Sequence, residues 1–236
     1  MKTGDKISSK NASWSFRGRV FKNFDKHISR SVPLYNECQN LFLILSDYFL
    51  LQNSRVIDIG CSTGVFLKKL FFRHKNNEKK IRFEGYDTVK EMIDYCKKNF
   101  KEKNVKFIKR SALKTDLSKA CIISSFYTMQ FIPTDQRQIL VNKIFKNLKW
   151  GGAFFMVEKV RASDARFQDI LNQHYIDYKL QNNYSPEEII SKSRSLKSVL
   201  VPFSTKGNID MLKRAGFLDI ITVFKYGSFE GFLAIK

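Results

Sequence analysis

The chain has 236 residues, 43% hydrophobic and 14% aromatic, which argues against a disordered protein and suits an α/β domain with a buried core. Its 42 Lys and Arg against 22 Asp and Glu leave a net charge of +20. That surplus suits an anionic substrate or nucleic acid, and equally lysines spread over solvated helix faces, so it names no partner. Met1–Ser9 lacks the apolar region of a signal peptide, and the most apolar stretch, Leu41–Leu51, carries Asp47 and is too short to cross a bilayer. The expectation is a soluble protein without a targeting signal. Cys38, Cys61, Cys96 and Cys121 are scattered beside apolar segments and are expected to be buried thiols in a reducing cytoplasm. His27, His74 and His174 lie far apart, so no metal site is expected.

Residues 11–52 read as mostly helical, interrupted at Pro33 and followed by the amphipathic run Leu41, Leu43, Ile44 and Tyr48; residues 1–52 would form an N-terminal cap. Trp14, Phe16 and Phe21 are expected to pack that cap over a crevice or an interface. A βα alternation then begins, with strands at Val56–Ile59, Ile81–Tyr86, Val105–Ile108 and Ala120–Ser125. Helices are predicted over Val65–Phe72, Val89–Phe100 and Gln136–Leu148, and Gly151-Gly152 is read as a turn into a fifth strand, Ala153–Glu158. Residues 161–205 break the rhythm as a polar helical insertion. Ile209–Ala215 is a helix stopped by Gly216, and Ile220–Tyr226 and Phe229–Ile235 form a closing hairpin across Gly227-Ser228. The predicted fold is α/β: one domain over residues 1–236, with a doubly wound, Rossmann-like, seven-stranded and mostly parallel sheet. An antiparallel C-terminal hairpin, an N-terminal helical cap and a helical insertion complete it.

The stretch Asp58–Gly64, DIGCSTG, follows the first strand, where a βα fold binds its ligand. Gly60 allows a sharp turn, Gly64 a close helix, and Ser62 and Thr63 are small and able to donate hydrogen bonds. A pyrophosphate needs a glycine where Ser62 stands, so a dinucleotide is disfavoured, and without Gly-Lys-Ser/Thr a P-loop is excluded. Asp87, closing the second strand in FEGYD, is placed to accept bonds from both hydroxyls of a ribose; a helix cap is the plainer alternative. Turn, acid and hairpin together point to S-adenosyl-L-methionine (SAM).

Longer stretches carry a family resemblance: WSFRGRVFKNFDKHISRSVPLY, DIGCSTG, YTMQFI, NLKWGGAFFMVEK, NYSPEEI and LVPFSTKGNIDMLKRAGF. Over residues 14–236 the chain resembles the carboxy-S-adenosyl-L-methionine synthases, within the class I SAM-dependent methyltransferase superfamily. The resemblance implies a homodimeric transferase that converts SAM and prephenate to carboxy-SAM, which a companion enzyme uses on the tRNA wobble uridine. Contact with tRNA would be indirect. By position, Tyr35 matches a cofactor-contacting tyrosine, with core packing as its alternative. Gly60, Cys61 and Ser62 match the cofactor turn, and Asp87 with Thr88 the ribose site.

The chain departs from the family pattern at three places. Ser111 and Ala112 stand where an aspartate holds the adenine amine, and Phe126 replaces an asparagine at the end of the fourth strand. An arginine that grips the transferred carboxylate across the dimer falls on Ser193, with Arg194 next to it. On a helix that is a rotation of about 100°. Arg194 is the candidate catalytic residue, reached by a register slip, or Lys192 takes its part. Two further readings stay open: a methyltransferase acting on another small-molecule or RNA acceptor, and a SAM-binding or tRNA-associated module.

Overall fold

The computed structural model describes residues 1–76 and 80–236. Three residues of the basic run 75–80 lie outside it.

Apolar runs without polar alternation set the sheet, as expected of strands covered on both faces. β1 (Arg55–Ile59) is buried along its whole length. It pairs in parallel with β2 (Arg82–Asp87) on one side and β4 (Ala120–Phe126) on the other. β3 (Val105–Lys109) extends the sheet beyond β2, and β5 (Leu148–Lys159) follows β4, both parallel. β6 (Asp219–Tyr226) and β7 (Phe229–Ile235) form the closing hairpin, with β7 antiparallel to both β5 and β6. The order is β3-β2-β1-β4-β5-β7-β6, so β6 takes the edge and β7 sits one strand in.

The connections α3 (Val65–His74), α4 (Lys90–Asn99), α5 (Thr134–Asn147) and α8 (Thr205–Ala215) cover the sheet. Successive residues of a strand face opposite ways, and Phe154 and Phe155 show it. The Phe155 ring lies 5.0 Å from Phe42 in one core; the Phe154 ring lies 6.3 Å from Phe217 in the other. Gly151-Gly152 does not form a turn before β5: both residues belong to the strand, next to a register shift between Ala120 and Ile122. A Cβ on Gly152 would lie 2.9 Å from the Lys149 carbonyl oxygen, so the glycine serves close backbone approach.

The strand order changes direction between the parallel neighbours β1 and β4, opening a crevice at their carboxyl ends. The cap, α1 (Phe24–Ser31) and α2 (Tyr35–Leu45), lies over it. Phe42 packs against Phe126 and Phe155, and the Thr63 hydroxyl donates to the Asp25 carboxylate. The insertion, α6 (Ala165–Gln181) and α7 (Pro186–Leu196), closes the other side. The Tyr175 hydroxyl donates to the Ser31 carbonyl at 2.8 Å, and the Ala12 and Trp14 amides donate to the Arg194 and Ser195 carbonyls at 3.0 Å. Trp14 and Phe16 line the crevice as expected; Phe21 instead packs on Tyr95 outside it, ring centroids 5.5 Å apart.

Phe155 is fully buried between the cap and the sheet. Phe155→Ala should therefore cost about 3–5 kcal/mol of stability, read as a lowered urea midpoint. A loss below about 1 kcal/mol would mean that the cap does not pack on β5 as described.

Candidate active site

A cavity of about 1220 Å³ opens at the carboxyl ends of β1, β2 and β4, beneath α1, α6 and α7. Small-ligand pockets span roughly 300–1,000 Å³, so this one has room for two reactants. Its floor is the turn after β1. Gly60 has φ +70°, and a Cβ there would lie 2.2 Å from Thr128 Oγ1, so only glycine fits. The Gly60 and Cys61 amides both donate to the Tyr86 carbonyl, at 2.7 and 3.1 Å. Ser62 adopts φ +52°, which turns its amide to Asp87 Oδ2 at 2.9 Å. Gly64 has φ +75°, and a Cβ there would meet Phe107 at 2.7 Å.

Asp87 Oδ1 accepts the Val89 amide at 2.8 Å. The Thr88 amide also bears on this carboxylate, and the acceptor capacity that remains is open to ligand hydroxyls. Burial raises its pKa, against the lowering pull of those N–H donors. The expected alternative of a helix cap is met only as a turn, because Val89 is the residue preceding α4. Thr88, Ser111 and Ala112 continue the cavity wall beyond β2 and β3. Among the described residues the Ser111 hydroxyl has no hydrogen-bond partner. Cys61 is buried with its sulfur against Gly85, and burial pushes its thiol well above the ordinary value, leaving it uncharged. Thr63 does not serve the cavity: it is buried and its hydroxyl is committed to Asp25.

Phe126 and Tyr35 form an aromatic side of the cavity. The Phe126 ring lies 4.3 Å from Phe66, and Tyr35 lies 6.1 Å from Tyr127. Below them Asp58, assigned no role by sequence reasoning, accepts the Ser124 hydroxyl at 2.7 Å, and burial pushes its carboxyl up to about 7. Glu158 ends β5 at the cavity side of the sheet, yet it pairs with neither Lys159 nor Arg161: its carboxylate receives the backbone amides of Thr128, Met129 and Gln130 and holds the turn after β4.

The upper cavity is cationic. Arg194 and Ser193 are exposed on α7 at its rim. Deeper stand Lys192, Lys179 on α6 and Lys159 at the end of β5, of which only Lys192 was weighed as a carboxylate ligand from the sequence. Burial brings Lys159 down to about 8, with Lys197 adding to the effect. Burial and Lys159 bring Lys179 to about 7, and burial and Lys179 lower Lys192 well below the ordinary lysine value. His27 is buried at the same wall, its Nδ1 3.0 Å from Asp5 Oδ2, and burial with Lys192 lowers it to about 4. His74, although it lies in a basic stretch, is 4% exposed, with Nε2 2.8 Å from the Ser46 hydroxyl. His174 faces Tyr226 on the hairpin, away from the cavity. The four cysteines are free and buried. Among the described residues no cluster of His, Cys, Asp and Glu is arranged for a metal, and no helix is long and apolar enough to cross a membrane.

This sheet order, with its cradle and acid, is that of the class I SAM-dependent transferases. Residues 50–214 match the family described as a methyltransferase domain. The fold superposes on human N-acetylserotonin methyltransferase in complex with SAM with a TM-score of 0.63, at 14% identity, covering 92% of this chain and 55% of that one. The carboxy-S-adenosyl-L-methionine synthase of Staphylococcus epidermidis is 36% identical over 94% of this chain and 97% of its own length. That of Nautilia profundicola is 37% identical over 98% and 99%. The chain is a SAM-dependent transferase, and it belongs to the carboxy-S-adenosyl-L-methionine synthase family. The residues present fit SAM: a cradle that any Cβ at Gly60 would fill, the Asp87 carboxylate with acceptor capacity to spare, and a second acid, Asp58, beside it for a cationic ligand.

Asp87→Asn should weaken binding of S-adenosylhomocysteine at least tenfold, since a charge-assisted bond contributes about 1.5–3 kcal/mol; calorimetric titration reads it, and unchanged affinity would remove Asp87 from the site. Asp58 makes a second prediction. The folded chain keeps a proton on it up to about 7, where an ordinary aspartate releases its proton near 3.8. Unfolding free energy therefore falls as pH rises from about 4 to about 7, and Glu158, pushed up to about 8, adds to the same slope. Asp58→Asn should reduce that slope in urea titrations at stepped pH. An unchanged slope would contradict the burial described for Asp58.

Proposed function

We propose that this protein makes carboxy-SAM from SAM and prephenate, working as a cytoplasmic homodimer in which residues 1–236 form one domain. Its product would feed a companion enzyme that modifies the wobble uridine of tRNA. The observation that carries the reading is the join of two half-sites in one cavity of about 1220 Å³: the cradle with Asp87 below, the cationic wall above. The names and full-length match of the two bacterial relatives support it.

Bound SAM supplies the carbon that takes the carboxyl group. The protein's own residues do the rest. Asp87 accepts the two ribose hydroxyls, with Thr88 beside it, while the backbone at Gly60, Cys61 and Ser62 lies along the ligand. Ser111 donates to the adenine, with Ala112 beside it. Asp58 faces the cationic end, ionising as a positive charge arrives. Tyr35 and Phe126 form an apolar side that keeps water from the reacting carbon. Phe126 replaces the polar contact of other members with packing against Phe66 and Phe42. Arg194, exposed at the rim, reaches the carboxylate across the dimer. α6 leaves Phe167, Ile170 and Leu180 exposed, apolar surface suited to a second copy.

Incubation of the purified protein with SAM and prephenate, followed by mass spectrometry, should yield carboxy-SAM only when both are supplied. Absence of carboxy-SAM, or transfer of a labelled methyl group to an added extract instead, would replace this reading with the methyltransferase one.

A further inference from the structure

Three lysines converge on the upper cavity from three elements: Lys159 from β5, Lys179 from α6 and Lys192 from α7. The Lys159 and Lys179 ammonium groups flank one ring, at 4.4 and 4.1 Å from the Tyr175 centroid. Lys192 sits on the Trp14 ring, which stacks on His27 at 5.9 Å. Among the described residues none of the three ammonium groups has an ion pair or a hydrogen bond.

The acids nearby are already engaged. Asp5 is held by Arg30, His27 and the Tyr184 hydroxyl, and Glu158 by three backbone amides. His27, its Nδ1 taken by Asp5, is left with a buried Nε2 that has no partner. Lys179 is only 8% exposed. Cation–ring contacts offset part of the loss of water around an ammonium, and they leave its charge uncompensated. Three such groups within one cavity also repel each other: besides burial, Lys159 lowers the pKa of Lys179 and Lys179 that of Lys192. A fold that holds them together gains only when an anion enters.

We infer that Lys159, Lys179 and Lys192 form a subsite for the carboxylates of the second reactant, with the unpartnered His27 Nε2 positioned to accept a hydroxyl of the same molecule. The ligand chemistry is that of a dicarboxylate on an unsaturated, hydroxyl-bearing skeleton. The ammonium groups take the carboxylates, and Trp14, Tyr175 and Phe229 take the apolar part. The subsite explains how the chain recognises carboxylates without an arginine at position 193. It deepens the proposed function and rests on it for the identity of the ligand.

The test is calorimetric titration of prephenate, and of succinate as a plain dicarboxylate, into full-length protein saturated with S-adenosylhomocysteine, so that no turnover occurs. Lys159→Met, Lys179→Met and Lys192→Met, which keep the packing stems, should each weaken prephenate binding at least tenfold. S-adenosylhomocysteine affinity should change less than twofold, which also shows that the variants are folded. Lys179→Arg should recover most of the loss, a rescue that a packing role would not give. Undiminished prephenate affinity in all three methionine variants overturns the subsite, as does a wild-type protein that binds neither acid. The outcomes separate the two claims. Lysine-dependent prephenate binding without carboxy-SAM formation supports the subsite and sinks the proposed activity. Carboxy-SAM formation with an unchanged KM for prephenate in the variants does the reverse.

Discussion

The Asp87 carboxylate joins the two loops on which the cavity depends. One oxygen holds the amide of Ser62 in the turn after β1, and the other holds the amide of Val89 in the turn after β2. Parallel strands fix only the spacing of the loop bases; the loops themselves need a tie, and here the tie is an acid that also lines the cavity. The neighbouring positive φ values follow from it. Ser62 at +52° aims its amide, and Gly60 at +70° brings the backbone against Thr128 with no room for a Cβ. The cap is attached to the same turn, because Thr63 donates to Asp25 of α1. A change at Asp87 would thus loosen the floor, and through Thr63 the lid.

Charge is separated along the cavity. Asp58 and Asp87 occupy the end under the turn after β1, and Lys159, Lys179 and Lys192 the end under α6 and α7. At close range in a partly dry site such charges act strongly. Each end complements one proposed reactant: acids for a cationic SAM, ammonium groups for an anionic acid. Like-charged groups sit together without neutralising one another, at a cost in stability that burial of Phe42, Phe155 and their neighbours offsets elsewhere. A site that favours binding over stability is the usual arrangement in enzymes.

Much of this was legible in the sequence because its signals are local. Strand β1, the DIGCSTG turn, Asp87 at the end of β2 and the hairpin across Gly227-Ser228 each lie within a few residues of one another, and each appears where expected. The misses have physical causes. Gly151-Gly152 looks like a turn but satisfies a close backbone approach inside β5. His74 lies in a basic stretch, yet the last turn of α3 carries it inward to Ser46. Glu158 ends a strand at the ligand face, but three amides of the turn after β4 reach it first. The lysine wall left little trace in the sequence, since its members stand among 42 basic residues and meet only in space. The one usable hint was Lys159 next to Glu158, an ionisable pair ending an otherwise apolar strand.

The central claim is that the lower half-site takes SAM, the upper one takes the carboxylated second reactant, and carboxy-SAM is the product. Native mass spectrometry of the protein as purified tests it most directly. A bound mass equal to carboxy-SAM, lost when Asp87 is replaced by asparagine, is the expected result. A protein that carries only SAM or S-adenosylhomocysteine after expression, and still does so after incubation with prephenate, would contradict it.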